Sequence, residues 1–219
     1  MQEENTSSSN QRMWLEILAV ALSGLGKPIF MDFLNWRFFY IATACLGWAA
    51  YIIYRSRRSP GILRHWGFRM DNFKEVFMLL LPWALLACLL FVIIGYWQGS
   101  LNLSWHIIPI ALIYPIWGVI QHFLILALFG GNLQEQTQLK LPKWLLVFLT
   151  ASLFAIVHYP FPLLIAGTFL LALVYILVYL KKRNLWVLGI YHGILGAVFF
   201  YSLMQRDPWL EIFGALGLN

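Results

Sequence analysis

The sequence predicts an all-α protein, a polytopic integral membrane bundle of six to seven transmembrane helices forming one helical domain. Three observations predict it. Hydrophobic residues make up 61% of the 219 residues and charged residues only 11%, far from the balance of a soluble domain. Apolar runs long enough to cross a hydrocarbon core of ~30 Å recur along the whole chain. The basic residues gather in alternate loops between those runs, as membrane topology requires. The same distribution excludes a nucleic-acid reading of the net charge of +6.

Taken in order, residues 1–12, MQEENTSSSNQR, read as a disordered cytoplasmic tail. The apolar run after them lacks a small-residue cleavage site, so it is an uncleaved helix and not a signal peptide. That run, 13–30, is the weakest span, because Glu16, Lys27, Pro28 and two glycines interrupt it; it either crosses or lies at the interface. Firmer spans follow at about 34–54, 75–96, 106–129, 144–159, 161–180 and 185–204. Pro82, Pro109 and Pro115 fall inside spans, which neighbouring helices tolerate. The tail 205–219 contains the short amphipathic stretch WLEIFGALGLN and is expected at the interface. There is no internal repeat; 13–74 holds the N-terminal membrane helices with a basic loop, and 75–204 holds the core.

Loop 55–74 carries Arg55, Arg57, Arg58, Arg64, Arg69 and Lys74, whereas 97–105 has no basic residue. Loop 130–143 carries Lys140 and Lys143, the turn at 159–162 none, and 181–183 is KKR. The positive-inside rule therefore places 55–74, 130–143 and 181–184 in the cytoplasm. If 13–30 spans, the N-terminus is cytoplasmic and the C-terminus faces outward. Loop 130–143 reads as a connector, with gating of a cytoplasmic entrance as the alternative. Cys45 and Cys88 stand alone on apolar segments and read as packing residues. The 11 tryptophans and 17 phenylalanines read as interface belts and helix packing.

Chemistry is concentrated in a few polar groups. His65 lies in the basic loop and His106 opens a span beside Trp105, both ordinary positions. His122, His158 and His192 each lie within a different span, and Gln121 precedes the first. An intramembrane ionisable residue costs a few kcal/mol unless paired or hydrated, so such residues are functional candidates. The alternative is helix-to-helix hydrogen bonding worth ~1 kcal/mol each. The grouping of these four favours one convergent site. Along their helices, His122 and His192 lie ~10 Å from the cytoplasmic ends and His158 ~20 Å, so the third meets the others only if its helix tilts or starts below the surface.

The order of these residues resembles the CAAX-protease and bacteriocin-processing family, which includes the type II CAAX prenyl endopeptidases and many bacterial Abi-type membrane proteins. That family carries Glu-Glu-x-x-x-Arg, then Phe-x-x-x-His, then His-x-x-x-Asn on three core helices. Here FAIVH supplies Phe154 and His158, and HGILG supplies His192; QHFLIL stands where the first motif belongs. The resemblance covers roughly residues 75–204. It implies an intramembrane peptidase in a bacterial cytoplasmic membrane, acting on a membrane-associated or lipidated peptide with no nucleic-acid partner. Gln121 and His122 replace the two glutamates, Leu126 the arginine and Gly196 the asparagine. In the family the first glutamate and first histidine activate water, and the last histidine and the asparagine steady the oxyanion. A neutral amide cannot act as that base, and no Asp or Glu lies between Glu75 and Glu135 or between Glu135 and Asp207, so no nearby carboxylate is expected to substitute. Losing the arginine with its carboxylates is consistent, because an unpaired intramembrane charge is costly.

Three readings follow. In the first, a peptidase keeps its chemistry with His122 or His158 as base and Gln121 donating to the oxyanion, with Gln121, His122, His158 and His192 as catalytic set. In the second, His122, His158 and His192 bind Zn or Fe with an open position. In the third, the cavity holds a prenyl-like or other apolar ligand or a membrane partner without catalysis.

Overall fold

The computed structural model describes residues 2–102, 104–136, 139–214 and 217, and every regular element among them is helical. Helix α1 (Gln2–Lys27) continues through a π-helical segment (Pro28–Phe33) into α2 (Arg37–Arg58), short α3 (Ile62–Trp66) and α4 (Phe73–Gln98). Helix α5 (Ile107–His122) runs through a second π-helical segment (Phe123–Gly131) into α6 (Asn132–Glu135). Then come α7 (Lys143–Ile156), α8 (Pro162–Lys182), α9 (Leu185–Leu203) and α10 (Pro208–Phe213).

Six helical stretches are long and apolar enough to cross a membrane, and the least certain span is one of them, as Ser9–Phe33. Its Glu16 is buried, accepting hydrogen bonds from Tyr51 and from Asn132 Nδ2 (2.7 Å) and lying 3.8 Å from Arg55. Pairing of this kind makes a carboxylate tolerable at depth. The segment expected to be a disordered tail is helical from Gln2; it contains neither Pro nor Gly to interrupt the helix. In contrast, the expected span 144–159 is a helix of only 14 residues, about 21 Å at 1.5 Å per residue. Pro142 sits at its N-cap, and Pro160 and Pro162 prevent its continuation. Pro109 falls in the first turn of α5, where its missing N–H costs nothing, whereas Pro82 and Pro115 lie inside helices.

The basic loops share one end of the bundle. Arg183 Nη2 donates to Glu135 (3.1 Å) and its Nη1 to the carbonyl of His65 (3.0 Å), joining all three loops. His65, expected to face solvent or headgroups, lies 3.1 Å from Glu135. Asn72 donates to the carbonyl of Lys182 (2.7 Å), and Asn184 donates to Asn72 (2.8 Å) while capping α9 by accepting from Val187 N (3.0 Å). At the opposite end α10 folds back onto the bundle. Asp207 accepts from Tyr201 (2.7 Å) and from the α10 amides of Trp209 and Leu210, and lies 2.6 Å from His106 Nδ1. The tail read as interfacial therefore docks against helices, with Phe213 beside Phe38, and His106 is buried beneath it.

The closest pairing is between α5 and α9. A Cβ on Gly118 would lie 2.5 Å from the carbonyl oxygen of Gly189, and one on Gly193 would lie 2.4 Å from the nitrogen of Pro115. Small residues permit such backbone approach, which is how helices gain packing energy in lipid. Gly196, one turn further, faces space: its Cβ would meet Tyr114 at an ordinary 3.7 Å.

Three measurements check this architecture. With Cys45 and Cys88 replaced by alanine, cysteines at Arg57 and Gln98 should react with an impermeant reagent from opposite sides of the membrane; equal accessibility would refute the span order. Gly193→Ala should destabilise the protein by about 1–3 kcal/mol through overpacking, while Gly196→Asn should leave its melting temperature nearly unchanged. Partial burial raises the Asp207 carboxyl, but hydrogen bonds from His106, Tyr201 and α10 outweigh this and hold it below the usual range. A lowered folded pKa gives stability present in full above the unfolded value of about 3.9 and lost as pH falls through the folded one. Wild type should thus lose melting temperature on acidification from about pH 5 to pH 3, and Asp207→Asn should lose less, the remainder coming from carboxyls such as Glu135 that are also held low.

Candidate functional site

A cavity of about 650 Å³ lies inside the bundle, and Gln121, His158 and His192 line it. Its volume is within the usual range for small-molecule sites. The α5–α9 contact brings Gln121 and His122 to His192. His122 is fully buried one layer behind the wall, its ring packed edge-on to His192 at 4.9 Å and beside Tyr175 at 5.0 Å. Of the four groups singled out in sequence, Gln121, His158 and His192 stand at the wall and His122 does not. His122 departs because the residue next to Gln121 on a helix points about 100° away.

The short α7 decides where His158 sits. Its position lies just past the helix end, and its Nδ1 bonds the carbonyl of Phe154 at 2.7 Å. A carbonyl only accepts, so Nδ1 carries the proton and the lone pair is on Nε2. Phe154 packs against all three histidines. Its ring centroid is 5.4 Å from His122, 5.0 Å from His158 and 5.6 Å from His192.

That geometry does not fit the three-histidine metal set. Zinc needs imidazole nitrogens ~2.0–2.1 Å from one centre, whereas these rings surround a phenyl group and His158 Nδ1 is taken. Among the described residues no group of three or more His, Cys, Asp or Glu is placed to hold a metal ion.

What the site does contain is unpaired polarity. Gln121 Oε1, both His122 nitrogens, His192 Nδ1 and the Tyr175 hydroxyl are buried without a hydrogen-bond partner among the described residues. Each such group costs about 1–3 kcal/mol, and native proteins hold few of them. They gather within one layer, where the His122 ring lies against both His192 and Tyr175. Tyr175 escaped sequence reasoning, since a lone tyrosine in an apolar span carries no motif.

The cavity wall departs from expectation in two further ways. No described residue of loop 130–143 is in the wall; Asn132 and Gln136 face α1, and Glu135 pairs with Arg183. Carboxylates do reach the cavity, although none was expected nearby: Asp32 and Glu211 line its mouth at the end away from the basic loops. Both are engaged, Asp32 by Lys27 at 3.0 Å and Glu211 by Arg37 at 2.7 Å and by Arg206. Residues from α1, α2 and α10 form this mouth. It was invisible in sequence because none of these charges belongs to a core motif.

No curated protein and no solved structure matches the chain. Residues 126–198 match the family model for type II CAAX prenyl endopeptidase Rce1-like proteins, an interval that holds Phe154, His158 and His192 and begins after Gln121 and His122. With its membrane-crossing helices and this order of motifs, the chain is similar over α7, α8 and most of α9 to the type II CAAX prenyl endopeptidase Rce1-like proteins.

Proposed function

We propose that the protein is an intramembrane peptidase that hydrolyses a peptide bond of a membrane-associated or lipidated substrate, with His158 in place of the missing carboxylate base. One observation carries this reading: His158 presents a base-competent Nε2 at the cavity wall it shares with Gln121 and His192, whose buried polar atoms await a partner. His158 Nε2 takes a proton from water, and the resulting hydroxide adds to the scissile carbonyl carbon. The Gln121 amide N–H and the His192 imidazole donate to the oxyanion so formed, in an apolar surrounding where such bonds act strongly. On collapse the carbon–nitrogen bond breaks, and the proton held on His158 passes to the leaving amine. His122 acts as a positioning residue, holding the His192 ring through their edge-on contact. The basic loops lie in the cytoplasm, in keeping with their charge.

A second reading, a non-catalytic binder of apolar ligands, is favoured by one fact. The two carboxylates of the cavity are both held in ion pairs, so no anionic base stands beside the imidazoles. Purified protein in liposomes, given a lipidated peptide panel, separates the two. The expected result is hydrolysis that falls by about 10²–10⁴-fold in His158→Ala and persists unchanged with chelators. Absence of turnover in wild type across the panel would leave the binding reading in its place.

A further inference from the structure

We propose that Arg206 and Arg37, bridged by Glu211 at the cavity mouth, bind the anionic head of a single-chain amphiphile, a carboxylate on one long apolar tail that extends into the cavity. The head site uses none of the groups given catalytic roles, while the tail enters the cavity those groups line. Charge supplies the first argument. The charged residues lining the cavity are Lys27, Asp32, Arg37, Arg206 and Glu211, three cations against two carboxylates. Lys27 and Asp32 satisfy each other at 3.0 Å. That leaves one carboxylate for two guanidinium groups, since Asp207 is directed to His106 and Tyr201 instead. An excess cation beside an apolar interior is expensive without an anionic partner.

Geometry supplies the second argument. Arg206 grips Glu211 through two bonds of 2.6 and 2.5 Å and lies 4.1 Å over the Phe161 ring and 5.3 Å from that of Phe200. It is therefore oriented before any ligand arrives. Arg37 uses Nη1 for Glu211 and Nε for the Met31 carbonyl, and its Nη2 carries no hydrogen bond among the described residues. A planar guanidinium edge suits a carboxylate. Arg37 and Glu211 also line a second, smaller cavity of about 400 Å³, so the ion pair stands between an outer space and the inner one.

Size chooses the tail. Allowing each methylene roughly the volume of a water molecule, ~30 Å³, a cavity of about 650 Å³ takes roughly 20 methylenes, enough for one long chain and too few for two. A fatty acid or a similar single-chain carboxylate fits; a diacyl lipid does not.

The test uses full-length protein in phosphatidylcholine nanodiscs with cis-parinaric acid as probe, read by energy transfer from tryptophan, with Trp117 in the cavity wall. Saturable binding is expected, weakened at least tenfold for the methyl ester. Arg206→Gln and Arg37→Gln should each weaken the acid at least tenfold. The charge-balanced double variant Arg37→Gln with Glu211→Gln should retain binding within about threefold, which separates loss of charge from loss of fold; cooperative melting of each variant is the accompanying control. The readout is equilibrium binding of the probe and needs no turnover, so failure of the peptidase reading leaves this result unaffected. Equal binding of acid and ester, or unchanged binding in both single arginine variants, would overturn the proposal. So would loss of binding in the charge-balanced variant while it still melts cooperatively. Displacement of the probe by dipalmitoylphosphatidate as effectively as by palmitate, at equal added charge, would also overturn it by making a two-chain lipid the occupant.

Discussion

The backbone contact between α5 and α9 sets the spacing of the polar groups at the cavity wall. Gly118, Gly189 and Gly193 let the two helices approach until any added Cβ would strike the partner's backbone or Val119. In lipid there is no hydrophobic force between helices, so this closeness is gained through dispersion and is lost if the surfaces do not fit. Gln121 and His122 hang from one side of the contact and His192 from the other. A shift of one helix by a fraction of a turn would separate them.

Both ends of the bundle are then fixed by polar networks of different character. At the basic end, Asn72, Asn184, Arg183 and Glu135 tie loops to one another through hydrogen bonds and ion pairs. At the other end α10 is held by Asp207 and by the ion pairs of Glu211. The first network is remote from the cavity; the second forms its mouth. The π-helical segment after His122 turns the remainder of that helix inward, and eight of its nine residues are buried. It delivers Asn132 to Glu16, locking α1 to the core and making the N-terminal helix part of the bundle.

The missing carboxylates change what the site asks of its surroundings. A glutamate base beside an arginine brings its own charges and counter-charges into the membrane. Here Leu126 is wholly buried, and the layer of Gln121, His122 and His192 carries no formal charge when the imidazoles are neutral. Such a layer is cheaper to bury, and its hydrogen-bonding capacity is spent on whatever enters the cavity. The cavity's charged groups lie at the mouth instead, where Arg37, Arg206 and Glu211 are partly exposed.

Composition and loop charge determined the all-helical membrane architecture, because hydrocarbon admits few other solutions for the backbone. They also determined which loops share one end of the bundle. The motif order singled out Phe154, His158 and His192, since a histidine within an apolar run carries a cost that demands a reason. Tertiary structure decided what those residues can do. His122 lost its place at the wall because adjacent helical residues point apart, and the proton of His158 was fixed by a carbonyl four residues earlier. A metal shell failed because the Phe154 ring occupies the space among the histidines. The mouth built from Lys27, Arg37, Arg206 and Glu211 lay beyond sequence reasoning altogether. Its members are separated along the chain by up to 184 residues (211 minus 27) and meet only when α10 folds back against the beginning of α2.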